Sequence, residues 1–431
     1  MTRFRYDWGV SPSLLTRRLE ETVTRSLGVF RVVIVNGPRQ AGKSTLLSLV
    51  HERSGGASIT LDDRAALRLA RTDPGGLVAG YERPTFIDEV QRGGDPLVLA
   101  VKAAVDRDRE PGQFVLAGSS RFLTVPTLSE SLAGRARIVD LWPLSQGEIH
   151  GGGDGLLDLL FQRTDAVRAL RPSALSRSNV AQRVAAGGFP AAYRLSERDR
   201  ADWFADYRRT LVQRDLTDLR RLRHAADVPR LLNLIGARTA QELNIASYGA
   251  ALDLSKETMR QYLALLEVIY LFHLLPAWSS GATARAKHRP KLHVVDTGLA
   301  CDIQNVSPRR LAEPTFEGIG PLLESFVVAE LLKQRTWATE RVELFHFRDR
   351  EGREVDLIAE SSDGRIVAVE VKAAVDVDEQ NARWLAYLRD KLGDRFVNGV
   401  VLHLGDRARP LGDRLTAVPI AALWETESTA R

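Results

Sequence analysis

Residues Val32-Val33-Ile34-Val35 run directly into Gly37-Pro38-Arg39-Gln40-Ala41-Gly42-Lys43-Ser44-Thr45, and Leu46, Leu47, Leu49 and Val50 follow at helical spacing. An apolar strand, a glycine-rich loop and a helix in that order leave few folds open. The loop has the pattern G-x-x-x-x-G-K-S. Gly37 and Gly42 let the backbone curl until its N–H groups converge on a phosphate chain. Lys43 has the reach for the terminal phosphates, and the Ser44 hydroxyl can take a place on Mg²⁺. The helix behind the loop turns its positive end toward the same anion. Residues 37–45 are therefore the expected cradle of a nucleoside triphosphate, ATP or GTP.

Pro84-Thr85-Phe86-Ile87-Asp88-Glu89-Val90-Gln91 is a short apolar run that includes two adjacent carboxylates. In a P-loop nucleoside triphosphatase the first, Asp88, holds Mg²⁺ through water, and the second, Glu89, polarises the attacking water. Alone, the pair would suit a solvated turn; the upstream loop decides for the functional reading. Phe114-Val115-Leu116-Ala117-Gly118-Ser119-Ser120 is another buried-strand pattern ending in small polar residues. A strand lying between the other two would bring Ser119 or Ser120 to the γ-phosphate, the sensor position of AAA-type ATPases. An ordinary turn suits these residues equally. Arg135, within Leu132-Ala133-Gly134-Arg135-Ala136-Arg137, is either an arginine finger for its own or a neighbour's site, or one surface arginine among many.

Composition bounds the rest. At 431 residues the chain exceeds what one core organises, and roughly two to four domains are expected. The hydrophobic and charged contents, 44% and 27%, are those of ordinary globular protein. No apolar run nears the eighteen or so residues of a membrane span. Met1 to Asp7 lacks a leader's apolar core, and the single Cys301 excludes an intrachain disulfide. A cytoplasmic protein with no membrane partner is expected. Net charge is +5, from 60 basic and 55 acidic residues, and arginine carries most of the positive charge. Lysine stands only at positions 43, 102, 256, 287, 291, 333, 372 and 391, so each lysine is a candidate for a chemical requirement.

The α/β pattern persists to about Pro143, and the first domain is expected over residues 1–150. Gly151-Gly152-Gly153-Asp154-Gly155 reads as a hinge or exposed turn. Residues 151–227 look helical, interrupted by Gly187-Gly188-Phe189-Pro190, and Trp203, Phe204, Tyr207 and Leu211 recur at core spacing. The arginines from Arg208 to Arg223 suit a solvated helix face or a nucleic-acid contact. In residues 228–300 three helical patterns precede two strands, Ile269 to Leu275 and Lys291 to Asp296, with Ser255 as N-cap of the third helix. That is a winged-helix layout. Its third helix would expose Lys256, Thr258, Arg260 and Gln261 to phosphates and base edges, and Arg285, Lys287, His288, Arg289 and Lys291 would form a basic wing. Such modules also dock proteins, and both uses stay open.

In residues 301–431 the pattern changes again. Glu343 to Asp349 is a strand, Glu354-Val355-Asp356-Leu357-Ile358 a second, and Ile366-Val367-Ala368-Val369-Glu370-Val371-Lys372 a third. Period-two alternation puts Glu370 and Lys372 on one face. Asp on one hairpin strand and Glu-x-Lys on the next is the metal core of PD-(D/E)xK nucleases, in which carboxylates hold Mg²⁺ and its water attacks a phosphodiester. Glu324, in Leu322-Leu323-Glu324-Ser325-Phe326, sits where a third acid is often supplied. The other reading is an amphipathic hairpin with a charged face, and nuclease-like domains also serve as binding modules.

Across nearly its whole length the chain resembles a prokaryotic family of AAA-type ATPases with a C-terminal domain of unknown function. The resemblance rests on Gly37 to Thr45, Ile87 to Gln91, Gly118-Ser119, Ala133-Gly134-Arg135 and Glu354-Val355-Asp356…Glu370-Val371-Lys372. It implies an α/β fold with an AAA-type ATPase core, a helical and winged-helix middle and a nuclease-like C-terminal α/β domain. It implies ATP and Mg²⁺ as cofactors and lends weight to Arg135. DNA, a protein partner and a second copy of the chain are the candidate partners. The expected activity is ATP hydrolysis on or near DNA, with cleavage by the C-terminal domain, or a nucleotide-dependent switch that binds a protein and cuts nothing.

Overall fold

The computed structural model describes residues 15–118, 132–211, 227–279, 285 and 288–427. The first unit is a five-stranded parallel sheet. Its strands are β1 (Val32–Asn36), β2 (Ala57–Thr60), β3 (Thr85–Asp88), β4 (Phe114–Ala117) and β5 (Ala136–Asp140), in the order β2-β3-β4-β1-β5. Every residue of β1 and β4 is buried, as the unbroken Val/Ile/Leu runs require of strands covered on both faces. Two apolar clusters supply that cover. One joins Val32 and Ile34 to Val98 and Val101, and the other joins Val33 and Val35 to Leu46 and Val50. β4 lies between the loop strand and the acid strand, as anticipated, but Ser119 and Ser120 lie outside the described residues.

The next residues form the helices Leu156–Leu160, Thr164–Arg168, Arg177–Ala186 and Glu197–Thr210. Phe204, Tyr207 and Leu211 are buried there, and Trp203 stacks on Tyr207 at 5.2 Å. Three more helices follow: Val228–Ala237, Ile245–Leu252 and Lys256–Val268, the last capped by Ser255, whose hydroxyl accepts from the Thr258 N–H. The short strand β6 (Gln241–Glu242) joins β7 (Phe272–Leu275) and β8 (Lys291–Val294) in the order β6-β8-β7. The strand expected from Ile269 begins only at Phe272, because Tyr270 takes a left-handed conformation (φ 60°) that ends the helix first. Asp296 leaves the strand too and caps the helix Thr297–Ile303.

The helix Ile319–Gln334 leads into β9 (Val342–Arg348), β10 (Glu354–Ser361), β11 (Ile366–Val371), β12 (Phe396–His403), β13 (Arg409–Gly412) and β14 (Leu415–Pro419). Their order is β13-β14-β12-β11-β10-β9. β9, β10 and β11 are antiparallel neighbours; β11, β12 and β14 are parallel, with the helix Arg383–Leu392 between β11 and β12. The hairpin of the middle region sits on the β9 edge: the His346 N–H donates to Pro276 O at 2.9 Å, and the Trp278 N–H to His346 O at 2.6 Å.

One apolar core runs from Leu156 to Trp424, through the helical region, the hairpin and the six-stranded sheet. Gly151 to Gly155 is not an exposed turn. Only its first residue is exposed; the Gly153 and Gly155 N–H groups donate to Trp424 O and Thr426 O, and Asp154 is buried at 1% exposure. A Cβ on Gly153 would meet Thr426 O at 2.0 Å, so glycine is there for close approach and not for hinge motion.

Candidate functional site

The loop between β1 and the helix Lys43–Ser54 lies at the C-terminal edge of the parallel sheet, where open α/β folds bind ligands. Gly42 has φ 95°, and a Cβ on Gly37 would lie 2.1 Å from Leu141 O. Both glycines are thus required, the first by conformation and the second by contact. The Lys43 ammonium donates to Gly37 O and Pro38 O at 2.9 and 2.7 Å, which keeps its charge inside the loop. Ser44 Oγ donates to Asp88 Oδ2 at 2.6 Å, so the hydroxyl after the lysine and the acid of β3 converge, as one Mg²⁺ bound to a triphosphate would require. These two residues fit the ion. Glu89 follows in a left-handed conformation (φ 53°), its N–H on Asp88 Oδ1 at 2.9 Å and its carboxylate accepting from the Gln91 amide.

Arg17, which carries no motif, braces this loop from behind. Its guanidinium is 5% exposed and donates to Ala41 O at 2.7 Å, Trp142 O at 2.8 Å and Glu148 Oε1 at 3.0 Å. Glu148 also accepts from the Arg18 and Ser145 N–H groups, and Ser145 Oγ donates to Asp154 at 2.7 Å. Burial, then the neighbouring Glu330, pushes the Asp154 carboxyl up to about 7. On the other side the Tyr207 hydroxyl reaches Arg39 O at 3.4 Å, linking the second helical region to the loop.

Arg135 does not face its own loop. It precedes β5 at the level of Val32, where its carbonyl accepts from the Val32 N–H. The loop leaves the other end of β1, roughly 15 Å away at about 3.3 Å per residue. The guanidinium instead pairs with Asp106 at 2.5 and 3.2 Å.

In the C-terminal sheet, Glu324, Asp356, Glu370 and Lys372 do come together. The register Leu357↔Val369 continues to place Asp356 opposite Glu370, and Lys372 Nζ donates to Glu370 Oε1 at 2.6 Å, so alternation had the correct face. Asp356 Oδ2 accepts from the Val371 N–H at 2.8 Å. The unforeseen member is Lys291. It is not a wing cation: it is 1% exposed, and its Nζ lies 2.7 Å from Glu324 Oε1, 2.6 Å from Glu354 Oε1 and 3.7 Å from Asp356 Oδ1. Burial raises the Glu324 and Asp356 carboxyls, and burial followed by Asp356 pushes Glu370 up to about 8. Among the described residues no group of three or more His, Cys, Asp or Glu side chains is arranged to hold a metal ion. Of the carboxylates expected to hold a metal, Glu324 and Asp356 have the Lys291 ammonium beside them, and Glu370 has Lys372.

Residues 29–150 match a family model described as "AAA domain". The N-terminal unit is an AAA-type P-loop domain. Residues 177–310 and 319–423 match two models described as domains of unknown function, DUF8612 and DUF4143. Uncharacterized proteins of Mycobacterium bovis and Mycobacterium tuberculosis are each 29% identical over 422 residues, covering 97% of this chain and 87% of theirs. A Walker-type ATPase of Pyrococcus abyssi overlays with TM-score 0.41 at 13% identity, over 66% of this chain and 94% of that one. The RuvB Holliday junction branch migration motor of Thermotoga maritima gives 0.30 at 15%, over 61% and 90%. These overlays are partial.

Behind the AAA domain, the helix Lys256–Val268 exposes Lys256, Arg260 and Gln261, with Arg260 paired to Glu257 at 3.4 Å; Thr258 is half-buried and serves the Ser255 cap. Of the residues expected to form a wing, His288 and Arg289 are exposed and Lys287 lies outside the described residues. Arg285 is committed to Glu360 at 2.6 Å and packs over the Phe345 ring. No helix among the described residues is long and apolar enough to cross a membrane.

Proposed function

We propose that the chain is an ATP-hydrolysing AAA-type protein. The observation that carries this reading is the 2.6 Å contact between Ser44 and Asp88 beside the Gly37–Thr45 loop. Loop N–H groups and Lys43 bind the phosphate chain, and Ser44 and Asp88 are the residues that would hold Mg²⁺, which supplies neutralisation of phosphate charge. Glu89 is the group that takes up the proton of the attacking water. Lys43→Ala should lose nucleotide binding. Glu89→Gln should keep it while turnover falls by at least about 10²-fold. Turnover at the wild-type rate in Glu89→Gln would remove Glu89 from that role.

A second reading, favoured by the exposed cations of the helix Lys256–Val268, is that the middle region is a winged helix that contacts DNA. Lys256→Glu with Arg260→Glu should then weaken duplex binding and flatten its salt dependence by about two released counterions. Binding that is unchanged by both substitutions, or absent from the wild type at low salt, favours a protein-docking switch.

A further inference from the structure

We infer that Lys291 is the resident cation among Glu324, Glu354 and Asp356 of the C-terminal acid cluster, and that it ties the β7–β8 hairpin to the six-stranded sheet. The cluster draws on every element packed around it. Glu324 comes from the helix Ile319–Gln334, Glu354 and Asp356 from β10, and Glu370 with Lys372 from the end of β11. At the rim, Arg348 of β9 lies 3.4 Å from Glu354, while His293 of β8 and His346 of β9 are held neutral by burial. Four carboxyls thus face two ammonium groups and one guanidinium at the edge.

The Lys291 ammonium works against a second cation in this cluster. A Mg²⁺ ion would need carboxylate oxygens at about 2.0–2.1 Å. One oxygen each of Glu324 and Glu354 already lies 2.7 and 2.6 Å from Lys291 Nζ. The ion and the ammonium would therefore contest the same few ångströms. Lys291 cannot easily leave. Its backbone is fixed in two ladders, opposite Leu275 of β7 and Glu242 of β6. A lysine suits the position because its compact ammonium can sit among carboxylates that converge from two secondary-structure elements, whereas a planar guanidinium fork demands a flat, wider opening. The eight lysines of this arginine-rich chain make that choice conspicuous.

The inference does not depend on ATP hydrolysis, and its test avoids the nucleotide site. Full-length, nucleotide-free protein carrying Asp88→Asn is titrated with Mn²⁺, and binding is read by electron paramagnetic resonance. The parent should show no saturable site up to millimolar Mn²⁺. Adding Lys291→Ala should create one, at least about 100-fold tighter than any residual binding, and Mn²⁺ should raise the melting temperature of that variant alone. Adding Asp356→Asn should remove the new site. If Lys291→Ala does not fold, Lys291→Met with Glu324→Gln, which removes one charge of each sign, replaces it, and a gain of about tenfold is expected. A saturable Mn²⁺ site in the parent that Asp356→Asn abolishes overturns the inference, as does a folded Lys291 variant that gains no site.

Discussion

Replacing Arg17 by methionine keeps most of the side chain's volume and deletes three charge-assisted hydrogen bonds, to Ala41 O, Trp142 O and Glu148. Removing one partner of a buried ion pair costs about 3–5 kcal/mol. Glu148 is not wholly stranded, since the Arg18 and Ser145 N–H groups still reach it at 2.7 and 3.0 Å. The lower end, about 3 kcal/mol, is therefore expected. In Glu148→Gln the guanidinium keeps both carbonyls, and a loss of about 1–2 kcal/mol follows. The double variant should lose about 2 kcal/mol less than the sum of the singles, because no uncompensated charge remains. Urea unfolding followed by tryptophan fluorescence measures this. Separately, loss of the bond to Ala41 O releases the loop, and ATP affinity should fall about tenfold in Arg17→Met, the equivalent of about 1.4 kcal/mol. Additivity within about 0.5 kcal/mol, together with unchanged ATP affinity, would refute the brace.

Three further outcomes can be checked. Asp154 has its carboxyl raised to about 7 by burial, so the folded state holds a proton that the unfolded chain gives up near 4. Its contribution is complete below about 4 and is lost as pH rises through about 7, with a slope of at most about 1.4 kcal/mol per pH unit. Asp154→Asn, which also tolerates the left-handed backbone there (φ 58°), should flatten that slope in melts from pH 4 to 8; an unchanged slope assigns it elsewhere. Arg135→Ala should leave stability nearly unchanged and turnover of dilute protein within about twofold, since its partner Asp106 is a surface group. A large loss, restored by mixing with Lys43→Ala protomers, would instead assign Arg135 to a neighbouring copy's site. Gly37→Ala should abolish ATP binding as fully as Lys43→Ala, because its methyl would collide with Leu141 O; retained binding would mean the loop can shift.

The strand–loop–helix and the acid strand were legible because phosphate binding dictates residue type and spacing together, and the described geometry around Lys43, Ser44 and Asp88 follows that dictation. Asp356, Glu370 and Lys372 were legible for a similar reason: period-two alternation fixes a face before any tertiary contact forms. What alternation cannot say is what lies across that face. Lys291 comes from another sheet, so local pattern made it a wing residue, and only its rarity as a lysine hinted otherwise. Lys333 carried the same hint: it is buried, with Nζ on Glu330 at 2.6 Å and on Leu144 O at 2.9 Å. Arg17 gave no signal at all, because a guanidinium that bonds main-chain carbonyls leaves no partner motif. The glycine run 151–155 misled in the opposite sense, since glycine serves tight packing as readily as freedom.

The turn at Gly153 and Gly155 also sets an order of events during synthesis. Its N–H partners, Trp424 O and Thr426 O, are made roughly 270 residues later, some 15–55 s at about 5–20 residues per second. The AAA domain needs none of those residues for its own sheet, so it can fold while still attached to the ribosome. The helices from Leu156 onward cannot, because the core they share closes only with β14 and Trp424 in place. For that interval the apolar stretch from Leu156 waits beside a finished N-terminal unit, its partners in the shared core not yet made.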